Sequence, residues 1–484
     1  MSGSLQVTST SKKTQPPTIK QLVSAKMAIA DIKGAVRIIV SKDTILALSQ
    51  ETLQKFRQKH PTKHTDSQNS PEIEEESKCF QTIKEDLMRA LHSFKKGAAG
   101  GPDGLLPQHL IDMSGSALGE PVTQLVNSLV SSMNLIVFPG KIPKELCETF
   151  YGATLIALSK KDGRVRPIAI GFSLRRLAAK ITMFANKNFS ATHFIPHQLG
   201  APKVAETCVH AVRSYLLSQS SKGKVLNKID FKNAFNTVRG DVILNLVKTK
   251  IPSMYNFIHQ CYDINTNLIF GDEVLNSREG FQQGDPLGPF LFSLGIQDIV
   301  NDLRSELNVF YLDNGTLEGD VETVVGDLLK IKSALHTHRL ELNPTKCELY
   351  VINSEDNLNP LNATIVKNQF NEVCYGIKII ERKHLSLLGA PLFPEAVSSI
   401  MESKLENLKL MLSRLKEIDS HEALFLLRHC FAIPKLIYFL RTTPCFMVES
   451  ILGSFDKIIK DSLVDILNIS LSTTAHKQLN LPIA

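Results

Sequence analysis

The sequence predicts an α+β fold with a separate helical region toward its C-terminus. Short β-prone runs at 153–158, 165–170, 225–229, 309–312 and 349–352 are separated by stretches with helical spacing. From about residue 396 the strand-like runs stop. There "SSIMESKLENLKLMLSRLKEI" and "HEALFLLRHCFAIPKLIYFL" carry apolar residues three and four apart. At 484 residues the chain is too long for one simple core, and 43% hydrophobic with 21% charged residues is a globular composition.

In chain order, residues 1 to about 75 are rich in Ser, Thr, Lys, Gln and Pro with a few helix-like turns. They close on the polar stretch "HPTKHTDSQNSPEIEEESK", so residues 1–78 are expected to be an extension and linker. An amphipathic helix is expected over 79–94. The segment "KKGAAGGPDGLLPQHL" then sets a basic pair and a Gly/Pro turn before a helix start. The strand-and-helix body runs to about 393 and the helical region covers 394–484.

No stretch approaches the roughly 20 continuous apolar residues that span a bilayer, and the polar N-terminus lacks the apolar core of a secretory signal, so no membrane partner is expected. Eight cysteines without a Cys-x-x-Cys pair argue against a zinc ribbon or disulfide scaffold and for an intracellular, reducing setting. A net charge of +7 suits a phosphate-rich partner, although many basic enzymes never touch nucleic acid.

Three segments carry the chemistry. In "LNKIDFKNAFNTV", Asp230 ends an apolar strand and Ala234-Phe235 opens a helix; a carboxylate there can face a cleft or merely cap the helix. In "REGFQQGDPLGPFLFSLGI", Gln283-Gly284-Asp285-Pro286 makes a tight turn before an apolar helix, which by itself is ordinary turn chemistry. In "NVFYLDNGTL", two β-prone runs flank Asp313-Asn314-Gly315, the pattern of a hairpin turning at Asn-Gly. Strand with Asp230, Gln-Gly turn with a buried helix, and a hairpin tipped by Asp313 together give the layout of a polymerase palm. Nucleotidyl transfer by two divalent ions needs carboxylates from separate elements to bridge them.

At these residues the chain resembles the reverse transcriptases, and among them those of non-LTR (LINE-type) retrotransposons, from about Lys95 to Leu392. "GGPDGL" and "SKKDGRVRPIAI" resemble fingers blocks, and "IDFKNAFNTV", "QQGDPLGPFLFSL" and "FYLDNGT" resemble palm motifs A, B and C. "LELNPTKCELY" resembles motif D and "LSLLGAPL" the primer grip. The resemblance implies a right-hand polymerase: fingers and an antiparallel, helix-backed palm over 79–393, then a helical thumb over 394–484. It implies RNA-directed DNA synthesis from dNTPs on an RNA template and DNA primer, with Mg²⁺ or Mn²⁺. Asp230 and Asp313 would be metal ligands, with the Phe231 carbonyl as a third. Gln283 and Gly284 would pack on the incoming nucleotide, and Lys160 and Arg166 would reach its triphosphate. Lys346 would be the acid that protonates pyrophosphate, and Phe235 the ring that excludes a 2′-hydroxyl. For Lys160, Arg166 and Lys346 the alternative is a solvated basic side chain; for Phe235 it is a place in the core.

The pattern breaks at Asn314, where the family has a second motif C aspartate, and at Asn236, where motif A commonly has Asp. An amide keeps an oxygen ligand and loses the charge, so reduced catalysis is expected. The alternative is a palm that only binds RNA or template–primer. No endonuclease or Cys/His finger is apparent, so a truncated or partial reading frame served by a separate nuclease is expected, acting in the nucleus, by family, or the cytoplasm.

Overall fold

The computed structural model describes residues 18–40, 45–61, 70–73, 78–115, 119–159, 163–218, 223–353, 361–470, 472 and 474–475. The chain divides into two compact units. One comprises 1–41, 402–436 and 450–484, the other 42–401 and 437–449.

The first unit is helical. Its opening helix, Ile19–Ala28, starts at Thr18, whose hydroxyl accepts the Gln21 N–H while the Gln21 side chain accepts the Thr18 N–H, a reciprocal capping box. Lys20 pairs with Asp419 at 2.7 Å, the Ser24 hydroxyl donates to Glu422 at 2.7 Å, and Arg414 donates to the Ile39 carbonyl at 2.8 Å. The N-terminal helices are thus fastened to the C-terminal ones, a pairing that no local periodicity announces. Among the described residues the run Ser420–Thr442 is long and apolar enough, by length and composition, to cross a bilayer. A search for continuous apolar residues passes over it because Arg428, His429, Lys435 and Arg441 interrupt it.

The second unit is α+β, as the alternation of runs predicts. Its strands are β1 (Ile45–Leu46), β2 (Ala153–Ser159), β3 (Val165–Gly171), β4 (Lys224–Asp230), β5 (Thr266–Phe270) and β6 (Glu273–Ser277). They continue with β7 (Leu307–Tyr311), β8 (Asn314–Gly319), β9 (Glu348–Ile352), β10 (Lys378–Ile379), β11 (Ser386–Leu387) and β12 (Ala390–Pro391). One five-stranded sheet joins β1, β2, β5 and β6, with β3 paired to β2. Helix Gln50–Lys59, within the stretch expected to be an extension, buries Leu53 and Phe56 against it, and Phe56 meets Phe270 edge-on at 5.0 Å.

The second sheet runs β10-β9-β4-β8-β7 and positions the candidate site. It is antiparallel as expected except at its edge, where the two-residue β10 lies parallel to β9. Its centre, β4, is covered on both faces. Val225 and Ile229 join the cluster built from helices Gly288–Asn301 and Val321–Thr337, while Leu226 joins Val209 and Val212 of helix Ala205–Leu216. A strand buried on both sides needs apolar residues on both faces, and "KVLNKID" supplies Val225, Leu226 and Ile229, with Asn227 buried among them. The amphipathic helix expected over 79–94 forms as Lys84–His92, with Leu87, Ala90 and Leu91 buried.

One residue offends this core. Glu318 on β8 is fully buried, and neither carboxylate oxygen has a hydrogen-bond partner. Burial pushes its pKa well above the usual range. The folded state therefore keeps a proton that the unfolded chain loses above about pH 4.5, so stability falls as pH rises past that value. Glu318→Gln is expected to gain about 1 kcal/mol or more at pH 8 and little at pH 4.5, read as the pH dependence of thermal unfolding. Equal effects at both pH values would contradict a buried neutral acid.

Candidate active site

Asp230 stands where β4 leaves the sheet and is only 7% exposed. Its carboxylate is held from the segment before β9. Lys346 Nζ lies 2.9 Å from each oxygen, and the Asn343 amide donates to Oδ1 at 2.9 Å. The Asn343 N–H also donates to the Asp230 carbonyl at 2.8 Å, and the Thr345 hydroxyl fixes the Asn343 amide at 2.9 Å. Phe231 sits beside Leu342 in a bridge closed through its neighbours: Asn343 donates to Asp230, and Lys232 to Glu341 at 2.8 Å. The Phe231 ring is buried.

The hairpin forms, but it turns earlier than Asn-Gly predicts. Tyr311 pairs with Asn314, leaving Leu312 and Asp313 as the loop, with Leu312 at φ +58°. Asn314 and Gly315 already belong to β8. Gly315 is needed for packing rather than for turning: a Cβ there would lie 2.5 Å from the Phe310 ring and 2.6 Å from Ile229. A leucine at positive φ is unusual, and the segment before it is pinned from outside the hairpin. Phe310 donates to the His197 carbonyl at 2.7 Å, and Leu199 donates to the Phe310 carbonyl at 2.8 Å.

This register sets the end of β4 beside the loop that carries Asp313. Asp230 lies directly across the ladder from Asn314, and the Asn314 amide donates to Asp313 Oδ1 at 3.4 Å. The strand end carrying Asp230 and the loop carrying Asp313 are thus next to each other. Lys346, expected as a proton donor, forms an ion pair with Asp230 and is 42% exposed.

Gln283 and Gly284 press against β3. The Ala169 N–H donates to the Gln283 carbonyl at 2.7 Å, and Gly284, at φ +130°, has no room for a Cβ beside the Ala169 carbonyl. Arg166, three residues earlier on β3, is exposed. Lys160 lies outside the described residues. The Phe235 ring stacks on Phe292 at 4.9 Å and 16° and is half-buried, so it has a core contact and an open side. Asn236 is buried with both amide atoms unpartnered.

The chain is similar to known proteins. Residues 158–392 match the family described as reverse transcriptase (RNA-dependent DNA polymerase). This segment is a reverse transcriptase domain. The retrovirus-related Pol polyprotein of the type-1 retrotransposable element R2 from Popillia japonica is 27% identical over 239 residues, covering 46% of this chain and 31% of that protein. Its counterpart from Nasonia vitripennis is 24% identical over 319 residues, covering 59% and 28%. The chain therefore spans about a third or less of those relatives. Among solved structures, apo telomerase from Candida tropicalis aligns with a TM-score of 0.38 at 10% identity over 67% of this chain and 64% of that one. Telomerase from Candida albicans with a fragment of telomeric RNA gives 0.35 at 12% over 75% and 67%. Likeness at that level leaves the fold to the geometry above.

The atoms expected to hold a divalent ion, those of Asp230, Asp313, the Asn314 amide and the Phe231 carbonyl, are all oxygens. An ammonium group already rests on Asp230 where a cation is favoured. That set fits Mg²⁺. Among the described residues no group of three or more His, Cys, Asp or Glu could hold an ion, so an ion here would take its remaining ligands from water and substrate.

Sequence reasoning passes over Asn343, whose Asn-Pro reads as a turn. It also passes over the buried ion pair beneath Gln283. Arg175 reaches Asp285 at 2.5 Å and the Gln282 amide oxygen at 2.6 Å, and the Tyr262 hydroxyl donates to Asp285 at 2.5 Å. Burial opposes the charge on Arg175, and Asp285, Cys261, Tyr262 and Tyr151 together more than offset that, leaving its pKa raised. Asp285→Asn strands a buried guanidinium and is expected to cost about 3–5 kcal/mol in denaturant unfolding. A cost under about 1 kcal/mol would show that the pair does not hold the Gln283 turn.

Proposed function

We propose that this chain is an RNA-directed DNA polymerase of a non-LTR retrotransposon, extending a DNA primer with dNTPs on an RNA template. The observation that carries the reading is the pairing of Asp230 with Asn314, which sets the Asp313 loop beside the end of β4. Divalent ions held by Asp230, Asp313 and the Phe231 carbonyl would help ionise the 3′-hydroxyl and neutralise the triphosphate. The rest falls to the chain's own side chains. Asn343 holds Asp230 through two hydrogen bonds, one to its carboxylate and one to its backbone carbonyl. The open side of Phe235 would underlie the sugar and exclude a 2′-hydroxyl. Gln283 and Gly284 would pack on the base, and Lys160 and Arg166 would meet phosphates. Lys346 would leave Asp230 and protonate the departing pyrophosphate.

A basic cluster supports a nucleic-acid substrate. Burial, together with Lys203, Arg176 and Lys95, lowers the pKa of Lys180 to about 8. Cations that repel one another await an anion, and a phosphate backbone supplies it. We assign residues 79–393 to fingers and palm, 394–484 to the thumb and 1–78 to an extension, with a separate endonuclease as partner and the nucleus or cytoplasm as the place of action.

A palm that binds RNA without polymerising is the second reading, and Asn314 favours it: its neutral amide bonds to Asp313 where a carboxylate would add charge. Primer extension on an RNA template with Mg²⁺ separates the two. Incorporation is expected, at least about 10³-fold lower in Asp313→Ala, about tenfold higher in Asn314→Asp, and with ribonucleotides admitted by Phe235→Ala. Extension unchanged in Asp313→Ala would overturn the polymerase reading, and none in Asn314→Asp would leave the binding reading.

A further inference from the structure

The outer edge of the second sheet carries a groove that the polymerase reading does not use. Its volume is about 530 Å³, within the range of small-ligand pockets, roughly 300–1,000 Å³. It lies between the end of helix Ala363–Val373 and β10, and its lining includes Lys367, Asn371, Tyr375, Gly376, Lys378 and Ile379. None of the lining residues is acidic. Tyr375 is 87% exposed. Among the described residues Lys367 and Lys378 make no ion pair and the Tyr375 hydroxyl has no hydrogen-bond partner. Elsewhere on this sheet lysines are engaged: Lys228 with Glu348, Lys224 with Glu306 and Lys346 with Asp230.

The groove is built rather than frayed. Gly376, at φ +91°, donates its N–H to the Asn371 amide oxygen at 3.0 Å, which closes the turn and leaves the nitrogen end of that amide as a donor. Ile377 behind it is buried in the main core, and Ile380 donates to the Leu349 carbonyl at 2.9 Å. Two unpaired ammonium groups, an amide donor and an unsupported aromatic face around one concavity match the needs of a single nucleic-acid strand. Lysines take phosphates, and a ring offers a stacking platform to any base. An extended peptide would need a longer edge, and β10 has only two residues.

We propose that this groove is a second nucleic-acid site, holding a single-stranded segment with a base on Tyr375 and its phosphates on Lys367 and Lys378. In the sheet it lies two strands from β4, about 10 Å across at roughly 4.8 Å per strand. It binds a strand outside the catalytic cleft, and it stands whether or not the chain polymerises.

The test uses the full chain and a 20-nucleotide single strand carrying one 4-thiouridine, or 4-thiothymidine in a DNA version, with the cleft saturated by unlabelled primer–template. Ultraviolet crosslinking is expected to map to Tyr375. Lys367→Glu with Lys378→Glu is expected to weaken strand binding about tenfold, Tyr375→Ala about fivefold, and Tyr375→Phe not at all. RNA binding without DNA binding would restrict the occupant to RNA, while equal binding would make it any single strand; both support the site. Affinities within twofold of wild type with no crosslink in 367–379 would overturn it. So would tight binding of an oligoglutamate peptide that single strands do not displace.

Discussion

The site depends on one held carboxylate. Asp230 sits at the end of a strand covered on both faces, and the Asn343 and Lys346 side chains grip its two oxygens while Asn343 also ties down its backbone. Everything else is set relative to that point. The β4–β8 register brings the Asp313 loop alongside, the segment leading into β9 delivers Asn343 and Lys346, and helix Gly288–Asn301 supplies Phe292 beneath Phe235. A charged group so shielded from water is costly unless paired. Its partners here are a half-exposed lysine and a neutral amide, so the lysine can be exchanged for another cation while the amide keeps the carboxylate in place.

The same geometry gives Asn314 a physical meaning. It is exposed, faces Asp230 across the ladder and bonds to Asp313. A second carboxylate there would put three negative groups around one spot; the amide leaves two, one of them already matched by Lys346. Asn236 shows the other kind of departure. It is buried with an unsatisfied amide and borders the motif B turn, where Phe281 donates to the Phe235 carbonyl at 2.5 Å. The cost of that substitution falls on packing rather than on cation binding.

Much of this was legible in the residues, and the gaps have physical causes. The strand-like runs at 153–158, 165–170, 225–229 and 349–352 became β2, β3, β4 and β9, each longer by one or two residues. They are readable as short β-prone runs set between stretches with helical spacing. The hairpin was readable in kind but not in register, since Asn-Gly promises a turn and the glycine is instead required by Ile229 and Phe310 packed on either side. The fastening of residues 19–40 to the C-terminal helices and the packing of Phe56 on the first sheet depend on contacts hundreds or scores of residues apart, which periodicity cannot carry. Asn343 and Arg175 act through single hydrogen-bonded geometries and leave no pattern beyond their own identity.

In the proposed mechanism Asp230 and Asp313 form one cation site with Lys346 as its resident counter-charge. Mn²⁺ binding to the full chain without nucleotide, followed by electron paramagnetic resonance, tests this most directly. Asp230→Asn and Asp313→Asn are each expected to remove the bound-ion signal, and Lys346→Met to tighten the binding. Binding unchanged in both asparagine variants, or weakened in Lys346→Met, would contradict it.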